Sequence, residues 1–447
     1  KMATDWQAFN IGAGNSVDFV QPSASSIALN RVLGSDVSMI QGKLTANGQV
    51  FLINPNGVLF TPTAQVNVGG LVASTLNISN PDFIAGSFKF TTNSSNAIGS
   101  SSAIINQGNI TAINGGSITL IAAKINNDGI LTANTGNVLL GAATQVTLDL
   151  GGPVKLQVTQ GAIDALIQNG GAIKADGGLV YLTAQAVEDL AVTVINNTGV
   201  IEAHTLATGE TGQIALMGGM TNNNIAVDGT LDASAPHGGN GGSIETSAAH
   251  VLIADSVNVT TLATGGHSGT WLIDPADFNI GDSAVGAVSN LSGAALSSNL
   301  GGGNVVILSS GGSASGSGNI NVNEAVSWGS NKLTLTAAKD ININAVMTAS
   351  GSSTLNLNTA TANGDDTAVT GGEVYAGMNS NGFTGRIDFA ETNGSLPRSG
   401  TGILIINDEA YNILNSVTQL AGMSTVSYTH LRAHETVLDL VCRLLLE

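Results

Sequence analysis

The chain has 447 residues, 58 of them Gly and 45 Asn, with only 10% charged and 4% aromatic residues. A hydrophobic content of 43% and a mean hydropathy of +0.25 exclude a disordered chain. A composition rich in Gly, Asn, Thr, Ser and Val excludes a helical bundle or coiled coil, and no apolar run reaches the ~18–20 residues of a membrane-spanning helix. The formal charge of −18, from 31 acidic and 13 basic residues, leaves no footprint for nucleic acid or an anionic membrane surface. The chain reads as a soluble β-protein.

In chain order, residues 1–90 come first. They hold a dense series of turn motifs and more aromatic residues than the rest: DWQAFNIGAG (Asp5–Gly14), VDFVQP (Val17–Pro22), ALNRV (Ala28–Val32), GKLTANGQVFLINPNGVLF (Gly42–Phe60) and VNVGGLVAST (Val66–Thr75). At their centre Asn54, Pro55, Asn56 and Gly57 separate two apolar runs, Val50–Ile53 and Val58–Phe60. Pro55 presets φ for the first turn position, and Asn56 and Gly57 suit the second half of the turn.

From about residue 100, short strands with period-2 alternation recur between Asn/Gly turns. Ile105–Gly108, Ile110–Ala112 and Gly116–Leu120 are echoed by Ile125–Gly129, Leu131–Ala133 and Gly136–Leu140, so Ile118 and Val138 are equivalent. Copies return at Asn169–Leu182, Ile195–Leu216 and Val227–Ile244, and more weakly at Leu333–Leu357. A unit of about 20–30 residues cannot bury its own apolar face and must stack on its neighbours. The expectation is an all-β fold, a right-handed parallel β-helix (β-solenoid) with an N-terminal capping region. Its coils run from about 40 to 260 and resume after 300. A sandwich array is the alternative, and the short period argues against it. Ala112, Ala133, Ala175, Ala203 and Ala233 fit tight inner corners. Asn106, Asn126, Asn169 and Asn196, each just before a turn Gly, are expected to stack as amide ladders.

Candidate sites are few. His204, His237, His250 and His267 fall in one stretch, but none lie at the three-to-five spacing of a zinc pair. Asp128, Asp176 and Asp228 sit beside turn glycines and read as solvated turn carboxylates. Gly238–Gly242 reads as a loop, and Asp274 and Asp277 beside Pro275 as turn and cap residues. Asn77, Asn93, Asn109 and Asn258 head Asn-X-Ser/Thr triplets at a frequency the composition alone supplies. A β-helix lyase needs metal-holding carboxylates and an Arg or Lys base on one face; no Arg falls between Lys89 and Lys339, and the acidic residues mostly sit beside turn glycines. No enzyme, cofactor or metal is expected.

ANG, FLINPNG and VGGLVAST, in this order, resemble the secretion domain of the filamentous-haemagglutinin family, the exported partners of two-partner secretion. Asn54–Gly57 matches that family's NPNG motif. Its other hallmark, NPNL, is absent, and ALNRV stands in that region. The resemblance covers residues 3–90 strongly and continues to about 270. Trp271–Pro275 is also similar to a motif of long passengers in the family. The resemblance implies a secreted or surface-displayed adhesin of a Gram-negative bacterium. A dedicated outer-membrane β-barrel transporter recognises its N-terminal domain, and its distal part binds host or neighbouring-cell ligands. The stalk of a contact-dependent toxin or haemolysin is the alternative, with a polysaccharide-active β-helix enzyme behind it. The expected division is 1–90 and 91–270 as the secretion domain and its continuing coils, and 271–425 as a passenger segment. Residues 403–420 resemble the lead-in to a further repeat module.

The start of the chain, Lys1-Met2, leads into sequence with no signal-peptide character, so the chain is expected to be an internal fragment. At the other end Val426–Glu447 has no Gly and no Asn, and it holds the only Cys, Cys442, and two of the six His. Ser427–Thr436 and Leu440–Glu447 resemble translated sequencing adapter, so residues 426–447 are read as foreign to the fold. Removing Val426–Glu447 should therefore leave the thermal midpoint of the remainder within ~2 °C, the shift that about 1 kcal/mol produces in a domain of this size. A larger fall would show that the tail packs.

Overall fold

The computed structural model describes residues 1–92, 102–113, 115–149, 155–187, 193–281, 290–309, 316–359, 372–380, 382–390 and 400–413. They fall into two compact units: Lys1–His250 with Ser256–Gly269, and Val251–Asp255 with Thr270–Glu447. The adapter-like tail and Asn93 lie outside the described residues.

The first unit is a parallel β-solenoid with three faces. Each coil lays one strand on each face. The first face runs through Met2–Trp6, Ile27–Val32, Gln49–Ile53, Gly70–Ser74, Ser117–Ala122, Asn137–Ala142, Leu179–Ala184, Gln213–Gly218 and Ser243–Ser247, all parallel. The second starts with Ser38–Ile40, Val58–Phe60, Ala103–Asn106, Lys124–Asn127, Leu166–Asn169, Thr193–Asn197 and Asn224–Val227. The third is a nine-stranded sheet from Ser16–Phe19 to Asn258–Thr260. The coils, expected from about residue 40, already begin at Met2–Trp6 and Ser16–Phe19, in register with those that follow. Ala28, Val50, Leu71, Ile118, Val138, Val180, Ile214 and Ile244 form one inward column, buried throughout.

Glycine sets how closely coils approach at the corners. A Cβ on Gly136 would lie 1.7 Å from the carbonyl oxygen of Gly116, and one on Gly178 1.8 Å from that of Gly136. Only a residue with no side chain lets backbone stack on backbone there.

The amide ladder exists, shifted by one residue from the expected set. Asn106 donates from Nδ2 to Oδ1 of Asn127 (2.8 Å), Asn127 to Asn169 (2.8 Å) and Asn169 to Asn197 (2.7 Å), all inside the coil. Asn126 and Asn196 face outward, and Asn126 bonds Asp128 instead. The pleat explains the difference. Ile104 pairs with Ile125, so the inward position two residues later is Asn106 in one coil and Asn127 in the next. A slip by one would turn every inward apolar residue to water.

In its middle coils the first face is buried on both sides. After Gly70–Ser74 the chain leaves the coil for a helix, Asn80–Ala85, capped by Ser79 and turned by Gly86, and a strand Phe88–Thr91. After Asn137–Ala142 it leaves again for Gln145–Leu148 and Leu156–Gln160, and the three strands form an antiparallel sheet. This module packs Phe83, Phe88, Phe90, Val146, Leu148 and Leu156 onto the outward Leu29, Phe51, Ile53, Val72, Ile121 and Leu139. Burial of such side chains contributes about 1.5–3 kcal/mol each. Several of the scarce aromatic residues gather here, outside the coils.

The second unit repeats the plan. Thr270–Asp274, Asn304–Ser309, Lys332–Ala337, Thr354–Thr359 and Gly400–Ile406 run parallel, and Glu409–Ile413 returns antiparallel. Trp271, Phe278 and Trp328 are in its core. Asn279, Asn321 and Asn342 form a second ladder with steps of 2.9 and 2.8 Å. Asp277 accepts from the Ser317 and Asn319 amides, as a cap does. Asp274 instead ends a strand.

The ladder gives a paired test. Asn127→Ala should strand the buried Nδ2 of Asn106 and Oδ1 of Asn169 and cost about 2–6 kcal/mol, read as a lower thermal midpoint. Asn126→Ala, one residue away on the outer surface, should cost no more than about 0.5 kcal/mol.

Candidate functional site

Asn54–Gly57 is a corner. It joins the first-face strand Gln49–Ile53 to the second-face strand Val58–Phe60. The Gly57 amide donates to the Asn54 carbonyl at 3.0 Å, closing a β-turn with Pro55 and Asn56 at its centre. Gly57 has φ +119°, in the region that favours glycine.

Both Asn side chains turn back onto the corner of the preceding coil, residues 34–38. Asn54, fully buried, donates from Nδ2 to the Asp36 carbonyl (2.9 Å) and to Oγ of Ser38 (3.0 Å). Asn56, half-buried, donates to the Gly34 carbonyl (2.8 Å) and to Oδ1 of Asn54 (3.1 Å). The Asn56 backbone amide donates to the same Oδ1 at 2.9 Å. Backbone bonds complete the clamp: Ser38 donates to the Gly57 carbonyl (3.1 Å), and Asn54 to the Ser74 carbonyl in the following coil (2.9 Å). The two Asn amides thus hold coils together. They do not project from the surface.

Sequence reasoning found the turn and missed its partners. Gly34, Asp36 and Ser38 lie about one coil period earlier, and that spacing was the available signal. It also passed over Asn30 and Arg31. Asn30 is fully buried and accepts from Trp6 Nε1 at 3.1 Å. Arg31 pairs with Asp5 at 2.8 Å and donates to the Ile78 carbonyl, which leads into the external helix. ALNRV therefore ties the first coil and the module to the second coil.

The carboxylates divide. Asp228 behaves as a turn residue: bonds from the Ser256 hydroxyl and the Gly229 amide hold its pKa below the ordinary carboxylate value. Asp176 does not. Its carboxylate contacts Lys174 at 3.3 Å and His204 Nδ1 at 2.9 Å, while His204 Nε2 faces Asp232 at 3.2 Å, so three successive coils are linked. Lys174 also meets Glu202 at 3.2 Å. Burial works against the Lys174 ammonium, but the two carboxylates outweigh it and raise its pKa. Among the described residues, no three His, Cys, Asp or Glu side chains converge to hold a metal.

Asn54→Ala should cost about 2–4 kcal/mol, because it removes two donated bonds and leaves buried acceptors unpaired. Asn56→Ala should cost about half as much. Thermal unfolding of the full chain checks both, and equal, negligible effects would contradict the clamp.

Residues 1–244 match the family model described as TPS secretion domain. A heme/hemopexin-binding protein of Haemophilus influenzae is 38% identical over 176 residues, 38% of this chain and 19% of that protein. A second protein of that name and organism is 47% identical over 91 residues, 20% of this chain and 10% of its own. The chain thus spans no more than about a fifth of these relatives. In structure, it is similar to the crystal structure of the HMW1 secretion domain from Haemophilus influenzae, with a TM-score of 0.56 and 24% identity over 80% of this chain and 87% of that one, a likeness of fold. With more than half its length matched by the family model, the chain belongs to the TPS secretion domain family, the exported partners of two-partner secretion.

Proposed function

We propose that this chain is the export-directing part of a large exoprotein of a Gram-negative bacterium, secreted or displayed at the cell surface as an adhesin or haemagglutinin-like protein. The single observation that carries the reading is the secretion-domain match over residues 1–244. An outer-membrane β-barrel transporter recognises this region, and the chain crosses extended and folds outside. Two physical features support such passage. The only Cys lies in the adapter-like tail, so no disulfide can lock the chain before it threads a pore. Coil-on-coil contacts let folding propagate from whichever coil forms first. The name of the Haemophilus relatives assigns no ligand here, since the match spans so little of them. The distal ligand belongs to host or neighbouring-cell surfaces.

In this reading Asn54, Pro55, Asn56 and Gly57 serve recognition by fixing the shape of the domain, since their amides are occupied within it. The test is export of the full chain, given a cleavable signal, with and without the two-partner transporter encoded beside it. Secretion should require the transporter and vanish when residues 1–244 are deleted. Asn54→Ala should lower secretion and thermal stability together. Lost secretion at unchanged stability would make the turn a direct contact, and transporter-independent secretion would overturn the reading.

A further inference from the structure

The three faces of the first coils differ sharply in what they show to solvent. The external module covers the first face from Ile27–Val32 to Asn137–Ala142. On the third, the outward columns of the first four coils are polar: Ser16, Lys43, Gln65 and Asn109, and Asp18, Thr45, Asn67 and Thr111. The second face is apolar at its start, and among the described residues its outward column stays partly exposed. Met39, Leu59 and Ile105 form its outward column, one above another in register. At the neighbouring corner Leu33 is 64% and Val37 44% exposed, and Met39 is 41% exposed. Val37 Cγ1 lies beside the Gly57 end of the Asn54–Gly57 turn.

The same column supplies its own control. In the following coils its occupants are Asn126, Gln168 and Asn196. Those coils stack in the same parallel register with amides at this position, so stacking does not require Met, Leu and Ile there. A strip that is apolar in the coils around the Asn54–Gly57 corner and carries amides in the next three coils marks a surface suited to contact.

We propose that the strip Leu33, Val37, Met39, Leu59 and Ile105 is where the transporter docks, through an aliphatic contact. The proposal rests on the export reading, which supplies the occupant: a secretion domain has a transporter as its partner. In its first coils this face carries a stacked apolar column that is partly exposed along its length, and it adjoins the clamped corner that fixes its shape. The occupant is correspondingly apolar, because the strip itself carries no charged side chain.

The test replaces the strip with what the later coils already carry. The triple variant Met39→Gln, Leu59→Gln, Ile105→Asn in the full chain should melt within ~2 °C of wild type, keep the same size in solution, and be secreted at least 10-fold less through the transporter. Leu33→Gln, at the most exposed position, serves as a second variant and should reduce secretion without changing the melting temperature. The pair Asn67→Glu, Thr132→Glu on the third face should be secreted like wild type. Wild-type secretion of both strip variants overturns the docking site while leaving the export reading intact. If wild-type protein is not exported by the transporter at all, the reading falls and the proposal with it. A marked loss of stability would show the strip covered by the chain itself. A dimer dissolved by the triple variant would show a second copy as its occupant. Either result overturns the proposal.

Discussion

The fold depends on parallel coils lying one strand spacing apart, about 4.8 Å. At that distance backbones nearly touch at the corners, and a Cβ between Gly116 and Gly136 or between Gly136 and Gly178 has no room. The same closeness puts equivalent side chains of neighbouring coils within bonding reach. It turns a repeated Asn into the ladder Asn106–Asn127–Asn169–Asn197 and a repeated Val or Ile into a continuous core. Composition follows from this spacing: glycine where backbones meet, Asn where a buried amide finds its copy one coil away, and few large side chains inside.

Departures from the repeat concentrate at one kind of corner, the passage from the first face to the second. There the chain makes the Asn54–Gly57 clamp, and there it twice leaves the coil to build the external module. A corner can accept insertions because the strands on either side keep their pairing. The secretion domain is therefore a regular solenoid whose individuality lies along one edge and the faces beside it. The clamp occupies both Asn amides with the previous coil.

Much of this was legible in the sequence. Period-2 alternation, the 20-residue step from Ile118 to Val138 and Asn-Gly corners were enough to predict a parallel solenoid. Register was harder. Asn126 and Asn127 are adjacent amides before a Gly, and only counting from the buried Ile125 tells which one points inward. The module was passed over although its traces are present. Ser79-Asn-Pro-Asp82 is a helix-start pattern, and QVFLI, SITLIA and NVLLGA are continuous apolar runs, the mark of strands buried on both sides. Asp176 reads as a solvated carboxylate because its partner His204 comes within reach only once coils are stacked. Contacts between coils are invisible to a local reading unless the period is used to look one turn back.

The central claim is that residues 2–260 share one coil register, so that distance counts coils and not residues. Spin labels on the outward column of the third face test this directly, with Cys442 replaced by Ser and label pairs at Asn67 with Glu202 and at Asp18 with Thr132. Both dipolar distances should come out near 19 Å, four spacings of about 4.8 Å, although the first pair spans a longer stretch of chain than the second. Distances that grow with sequence separation, or a break between the label at Asp18 and those in later coils, would contradict the account.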